Sequence, residues 1–401
     1  MKNRFTFLII FLAIALALFA QSPAAEFAAS ADLRSDRCAV LIVDLNNGKV
    51  VDSHNENAPL LPASVTKAVT IASTVEKSGV KFRYHTKVYA CGPIKDGILE
   101  GNLLVEGGGD PSLGANVEPK GTDIISEICE VLRKRKVSAI GGRIIVDSSI
   151  FTEPATPPSW SKGDLSTYYG TGCHGFNYQR NASGKKAVYN PQASFVRQLT
   201  SALAAKGITV ADGDYDEDTD RGKPILDHLS PPIDDIMRSC MKRSDNLYAE
   251  AFLRTLALLS GKPGDTKAGA EIEMDTWKYK GADMAGVWIV DGSGLSRQNR
   301  LTARFLADVL AKMAYNVDFV SFFPLAGMEG TLASFLKGTE LEGYIAMKTG
   351  SMNGVQCYAG YLLDDNYAPT HVVVIMINDF PGVRANVRKR AEKMLLDTFR
   401  R

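Results

Sequence analysis

The 401 residues include six cysteines and five histidines, but no C-x-x-C pair and no H-E-x-x-H, which argues against a zinc site. No excess of one charge is present: 46 Lys+Arg face 45 Asp+Glu, so there is no basic field to hold nucleic acid. At 45% hydrophobic, 23% charged and 8% aromatic, the composition excludes a disordered chain, a collagen and a multispan membrane protein. The length suggests two or three domains with a sizeable core.

Lys2 and Arg4 precede an apolar run from Phe5 to Ala20, and Gln21-Ser22-Pro23-Ala24-Ala25 follows. A basic start, a short apolar stretch and small residues read as a secretory signal peptide over 1–25, cleaved on export. A retained membrane anchor is the competing reading. No cysteine lies near the cleavage region, so a lipidated new terminus is not expected. Removal takes away two cations and no anions, leaving 44 against 45. The expected location is periplasmic or secreted, with at most peripheral membrane contact. Export permits disulfides among Cys38, Cys91, Cys129, Cys173, Cys240 and Cys357, although all six may equally be buried free thiols.

Residues 38–45 form a β-branched apolar run, and Asn46-Asn47-Gly48 then signals a hairpin into Lys49-Val50-Val51. Val65, Ala68, Val69, Ala72 and Val75 recur at helical spacing, with Gly79 as the stop. Short strand-like pieces follow over 81–115, a helix over 122–137, a strand over 141–150, Pro/Gly/Tyr/Asn-rich loops over 154–192 and a helix over 193–206. From Asp212 to Asp220 six of nine residues are acidic. Glu217 stands where a calcium loop needs glycine, and Lys223 replaces the closing glutamate, so this reads as a solvated acidic turn. Helical patterns run over 233–242, 244–259 and 301–314, and strands over 343–349, 355–363 and 370–377. In the last segment Val387, Ala391, Leu395 and Phe399 share a helical face, expected to dock on the sheet in preference to a membrane.

S-x-x-K occurs six times, and Ser64/Lys67 stands apart because it opens the apolar helix, with both side chains on one face. A hydroxyl there is ordinarily an N-cap. The same geometry suits a nucleophile beside a lysine kept neutral by dry surroundings. Ser244-Asp245-Asn246 and Lys348-Thr349-Gly350 each occur once, at a helix head and a strand end. Together the three strings are the signature of β-lactamases and penicillin-binding proteins.

The sequence resembles the class C low-molecular-mass penicillin-binding proteins, the D-alanyl-D-alanine carboxypeptidases/endopeptidases. Further blocks carry the resemblance: Gly107-Gly108-Gly109-Asp110-Pro111, Asp147-Ser148-Ser149-Ile150-Phe151, Asp291-Gly292-Ser293-Gly294-Leu295-Ser296-Arg297 and Leu325-Ala326-Gly327-Met328-Glu329-Gly330-Thr331-Leu332. It implies an α+β serine β-lactamase/DD-peptidase-like fold, an antiparallel sheet flanked by helices. Residues 26–81 and 229–401 would form the catalytic domain, and 82–228 an inserted, mostly β domain, shorter than in larger members.

The resemblance also implies roles. Ser64 would be the nucleophile, Lys67 the general base, and Ser244 with Lys348 a proton path to the leaving amine. Asn246 would orient the substrate amide and Lys67. Thr349, Gly350 and Ser351 would bind substrate, with Thr349 and Lys348 on its carboxylate and the Ser64 and Ser351 amides as the oxyanion hole. No cofactor and no metal are implied. The partners would be peptidoglycan stem peptides, and β-lactams as inhibitors. Carboxypeptidase, endopeptidase and transpeptidase outcomes share the acyl-enzyme and stay open. A class A β-lactamase would need an E-x-x-L-N element, which is absent between Ser244 and Lys348. A silent peptidoglycan-binding protein would have lost Ser64, Lys67 or Lys348.

Overall fold

The computed structural model describes residues 21–152, 154–215 and 221–400. The chain enters through helix α1 (Pro23–Ala28), strands β1 (Cys38–Asp44) and β2 (Val50–His54), and helix α2 (Thr66–Ser78), which a short 3-10 turn, Ala63–Val65, precedes. Then come β3 (His85–Cys91), β4 (Asn102–Glu106), α3 (Ile124–Lys134), β5 (Ile144–Asp147), α4 (Pro191–Ala205) and β6 (Leu226–Leu229). Helices α5 (Ile233–Arg243), α6 (Asn246–Leu259), α7 (Thr266–Tyr279) and α8 (Ala303–Met313) follow. Strands β7 (Ile345–Met352), β8 (Val355–Leu363) and β9 (Pro369–Asn378) and helix α9 (Arg384–Thr398) complete the chain.

Five strands build one antiparallel sheet in the order β7-β8-β9-β1-β2. The β1–β2 hairpin turns at the expected Asn-Asn-Gly, where Gly48 has φ +69° and the Asp44 carboxylate accepts from the Asn46 N–H and Asn47 Nδ2. The sheet is covered on both faces, which explains why its strands read as apolar runs. Ala39 and Leu41 of β1 join Val372, Val374 and Met376 of β9 against Val69, Phe252, Trp277 and Leu306 of the main helical layer. Cys38, Val40 and Ile42 face the other way with Val373, Ile375 and Ile377, against Phe27, Val387, Ala391 and Leu395 of α1 and α9. The terminal helix thus docks on the sheet, as its apolar face suggests.

Strands β6-β3-β4-β5 form a separate four-stranded sheet, and short strands around 94–99, 139–140 and 209–210 form another; neither pairs with the central sheet. Helices α3 and α4 pack on them through Ile128, Leu132, Phe195 and Leu199. Strands and the two helices alternate along this part of the chain, with three parallel strand pairings. The acidic turn read at 212–220 falls largely outside the described residues.

Three further local features have physical causes. The 1–25 boundary falls inside α1, where Ala24 is fully buried and its N–H donates to Asp52 at 2.8 Å. The small residues that look like a cleavage site also allow close helix packing; residues 1–20 lie outside the described residues. Helix α7 escapes the sequence pattern because its buried face includes Gly269 and Glu273 as well as Ala270 and Trp277. All six cysteines are buried, and burial pushes the thiols of Cys38, Cys173, Cys240 and Cys357 up to about 12.

Gly360 of β8 is required by close approach to β7: a Cβ there would sit 2.1 Å from the Ala346 carbonyl oxygen and 2.7 Å from Met347 Cα. Gly360→Ala is expected to cost about 1–3 kcal/mol in chemical denaturation, as overpacked cores do. An unchanged midpoint would show that the strands separate freely.

Candidate active site

Four elements converge on one cleft. The 3-10 turn carries Ser64, α2 carries Lys67, the α5–α6 junction carries Ser244 and Asn246, and β7 carries Lys348, Thr349, Gly350 and Ser351. The cleft encloses about 550 Å³ and is lined by Ser64, Ser244, Asn246 and Ser351, with Tyr169, Arg180 and Arg297 around them. Lys67 and Lys348 sit behind this lining with no exposed surface.

Lys67 Nζ lies 2.8 Å from Ser64 Oγ, 2.7 Å from Asn246 Oδ1 and 2.6 Å from the Ser293 carbonyl oxygen. The three-residue spacing at the helix entry supplies the first contact. Asn246 supplies the second because its Nδ2 donates to the Tyr169 carbonyl at 2.8 Å, which turns Oδ1 toward the lysine. Lys348 Nζ donates to Ser244 Oγ at 2.9 Å and to the Thr349 carbonyl at 2.7 Å. The Thr349 hydroxyl donates to Thr331 Oγ1, and the Ser351 hydroxyl to Gln356 Oε1. Every predicted site residue therefore belongs to this one region.

Gly350 explains how the strand reaches the serine. A Cβ at this position would meet the Pro62 carbonyl oxygen at 2.5 Å and the Ser64 amide nitrogen at 3.1 Å. Only glycine lets β7 run this close to the Ser64 backbone. Ser244 is the left-handed end of α5, with φ +59° and ψ +43°, a region that costs a β-carbon residue energy unless its flanks are fixed.

Electrostatics favour uncharged amines. Burial lowers the Lys67 amine below its ordinary value, against the opposing pull of Cys240, Asp291, Glu250 and Asp245. Burial, then the neighbouring Lys67, holds Lys348 well below its own. Behind them, burial and then the Asp291 charge push the Glu250 carboxyl up to about 8, and burial raises Glu273 well above the carboxylate range. Glu250 Oε1 accepts the Ser293 N–H at 2.8 Å, which holds the carbonyl that Lys67 uses. Asp291 gathers the same loop by accepting from Gly294 N, Ser296 N, Asn299 Nδ2 and Trp160 Nε1.

Sequence reasoning missed Tyr169, Glu250 and Ser293 as individual contributors. Two of them act through backbone carbonyl or amide groups, which carry no residue-type signal. Glu250 lies one turn beyond Asn246 on α6, and that four-residue spacing was the available clue.

Glu250 gives a sign-defined expectation. A carboxyl raised from 4.5 to about 8 in the fold binds more protons folded than unfolded, so its contribution to stability falls as pH rises through that window. Glu250→Gln keeps the Oε1 acceptor and cannot ionise. Its melting temperature relative to wild type should climb between about pH 5 and 8, above any constant offset, and level off beyond. A pH-independent difference would show that Glu250 does not titrate in this window.

The D-Ala-D-Ala carboxypeptidase 3 (S13) family matches residues 21–186 and 171–398. The chain is 28% identical over 344 residues to carboxypeptidase DacB of Mycolicibacterium smegmatis, covering 80% of this chain and 72% of that one. It is 23% identical over 393 residues to D-alanyl-D-alanine carboxypeptidase DacB of Haemophilus influenzae, covering 80% and 81%. The fold is that of penicillin binding protein 4 from H. influenzae, with a TM-score of 0.75 at 22% identity over 90% of this chain and 94% of that one. A penicillin G-acylated predatory endopeptidase from Bdellovibrio bacteriovorus is also similar, with a TM-score of 0.56 at 17% identity over 89% of each chain. With its motifs gathered in one cleft and both stretches of the family matched, the chain belongs to the D-Ala-D-Ala carboxypeptidase 3 (S13) family of serine peptidases.

Proposed function

We propose that Ser64 of this serine D-Ala-D-Ala peptidase attacks the penultimate D-Ala carbonyl of peptidoglycan stem peptides, with Lys67 as general base. One observation carries the assignment. A neutral amine has two N–H donors and one lone pair. Asn246 Oδ1 and the Ser293 carbonyl are acceptors only and take both donors. In the neutral form the remaining lone pair would turn to the Ser64 hydroxyl oxygen, 2.8 Å away, and take its proton.

The Ser64 oxygen then bonds to the carbonyl carbon, and the Ser64 and Ser351 amides hold the oxyanion. As the C–N bond breaks, the leaving D-Ala amine takes a proton from the Ser244 hydroxyl, which Lys348 Nζ replaces. Thr349 receives the substrate carboxylate, whose negative charge raises the neighbouring Lys348 amine and favours its protonated form. Water then hydrolyses the acyl ester, its hydroxyl bonding to the carbonyl carbon and its other proton going to the Ser64 oxygen as the ester bond breaks. Lys67 loses its extra proton to solvent, and Lys348 regains one from it. Penicillin is trapped at the same ester, and the apolar run from Phe5 to Ala20, read as a leader, supports a reaction outside the cytoplasm. No helix among the described residues is long and apolar enough to cross a membrane.

Incubation with penicillin should add one penicilloyl group to the peptide containing Ser64, and Ser64→Ala should abolish it with the fold intact by circular dichroism. Labelling at Ser78 or Ser334 would overturn the assignment. Defined muropeptides, with products weighed by mass spectrometry, separate terminal D-Ala release from cross-link cleavage. The acylation rate should fall on the acidic side, because protonation removes the Lys67 lone pair, the lowered amine being the group that titrates. A rate flat from weakly acidic to weakly basic pH would exclude Lys67 as the base.

A further inference from the structure

Residues Gln179, Arg180 and Asn181 have φ of +52°, +58° and +50°, three consecutive non-glycine residues in the left-handed region. Such residues occur there singly as a rule, each against a steric penalty, and persist only where the surroundings impose them. Here the surroundings do. Asn181 is fully buried; its Oδ1 accepts the Tyr178 N–H at 2.9 Å, and its Nδ2 donates to the Gly172 carbonyl and to Asn177 Oδ1, both at 2.8 Å. The Gln179 N–H donates to the Leu113 carbonyl.

The middle residue of this turn reaches across to the α5–α6 junction. Arg180 Nε and Nη2 both donate to Asp245 Oδ2, at 2.8 and 2.5 Å, and the two side chains are only 19% and 4% exposed. Asp245 stands between Ser244 and Asn246. Its Oδ1 caps α6 through the Tyr248 N–H, its N–H donates to the Cys240 carbonyl, and its carbonyl accepts from Cys240 Sγ. Ser244, in its left-handed conformation, thus hangs between the end of α5 and an aspartate held by Arg180.

We propose that Arg180 is a positioning residue for the Ser244 hydroxyl, with the left-handed turn 179–181 as the device that delivers it; this rests on the serine-peptidase reading above. Without Arg180, Asp245 keeps a buried carboxylate with one weak backbone donor, and an uncompensated buried charge moves to find a partner. Ser244 would follow, and the proton path from Lys348 to the leaving amine would lengthen. A substrate whose leaving group needs that proton suffers, and one whose leaving group does not is spared.

The test compares an N-acylated D-Ala-D-Ala peptide with the matching thioester, whose thiolate leaves without protonation. Arg180→Met should lower kcat on the peptide by about tenfold or more, in the range of lost general acid–base assistance, with KM little changed. On the thioester kcat should stay within about threefold of wild type, a barrier change under one decade. Arg180→Lys, which keeps the charge and loses the fork, should fall between them and substitutes if Arg180→Met does not fold. Equal losses on both substrates would make the role purely structural and overturn the proposal. A raised KM with unchanged kcat would make Arg180 a direct substrate contact and overturn it as well. No loss on either substrate would do the same. A wild-type protein that is never acylated at Ser64 would instead overturn the functional reading beneath it.

Discussion

The site turns on one buried amine, Lys67, whose surroundings shift it toward the uncharged form. Lys67 has no exposed surface, and desolvation disfavours its ammonium form. A neutral amine in that position still needs its two N–H groups satisfied, because a buried unpaired donor is costly. The Asn246 amide and the Ser293 carbonyl meet this need without offering a proton in return. The lone pair's direction toward Ser64 is then a consequence of where the acceptors are. Much of the surrounding fold serves to hold those two acceptors.

Each acceptor is fixed from behind by a different part of the chain. Asn246 is oriented by the Tyr169 carbonyl, in the loops between the second sheet and α4. Ser293 is held by Glu250 from α6 and by the loop that Asp291 organises, to which Trp160 also donates. Arg254, one turn further along α6 and 1% exposed, grips the Thr152 and Pro154 carbonyls. The residues between β3 and β6 are therefore tied to the cleft at several points. Carboxyl groups close to Lys67 work against its neutrality, and burial weakens one of them by raising Glu250 to about 8.

The sequence made the central sheet legible because its strands are apolar on both faces, and the hairpin because Asn-Asn-Gly favours the turn it makes. Ser64, Lys67, Ser244, Asn246 and Lys348 were legible because their chemistry resides in side chains at fixed spacings. What stayed hidden follows the same logic. The Tyr169 and Ser293 carbonyls could belong to any residue type. Helix α7 buries a glycine and a glutamate, so its inward face carries no apolar stripe. The left-handed turn at 179–181 has no glycine to announce it, since tertiary hydrogen bonds and not local preference impose its conformation.

The two lysines of the proposed reaction are chemically identical and must do opposite things, so position has to separate them. Lys67 faces two carbonyl-type acceptors and has carboxyl groups behind it. Lys348 faces a hydroxyl and its neighbour's carbonyl, and burial depresses it most, with Lys67 adding to this whenever that amine carries its proton. Burial lowers both amines, and like charges so close oppose double protonation. A substrate carboxylate arriving at Thr349 changes only one of these environments. It supplies the counter-charge Lys348 lacks and leaves Lys67 enclosed by neutral acceptors. In the proposed reaction substrate binding would thus assign the acid and the base, and a ligand without that carboxylate would leave Lys348 without its counter-charge.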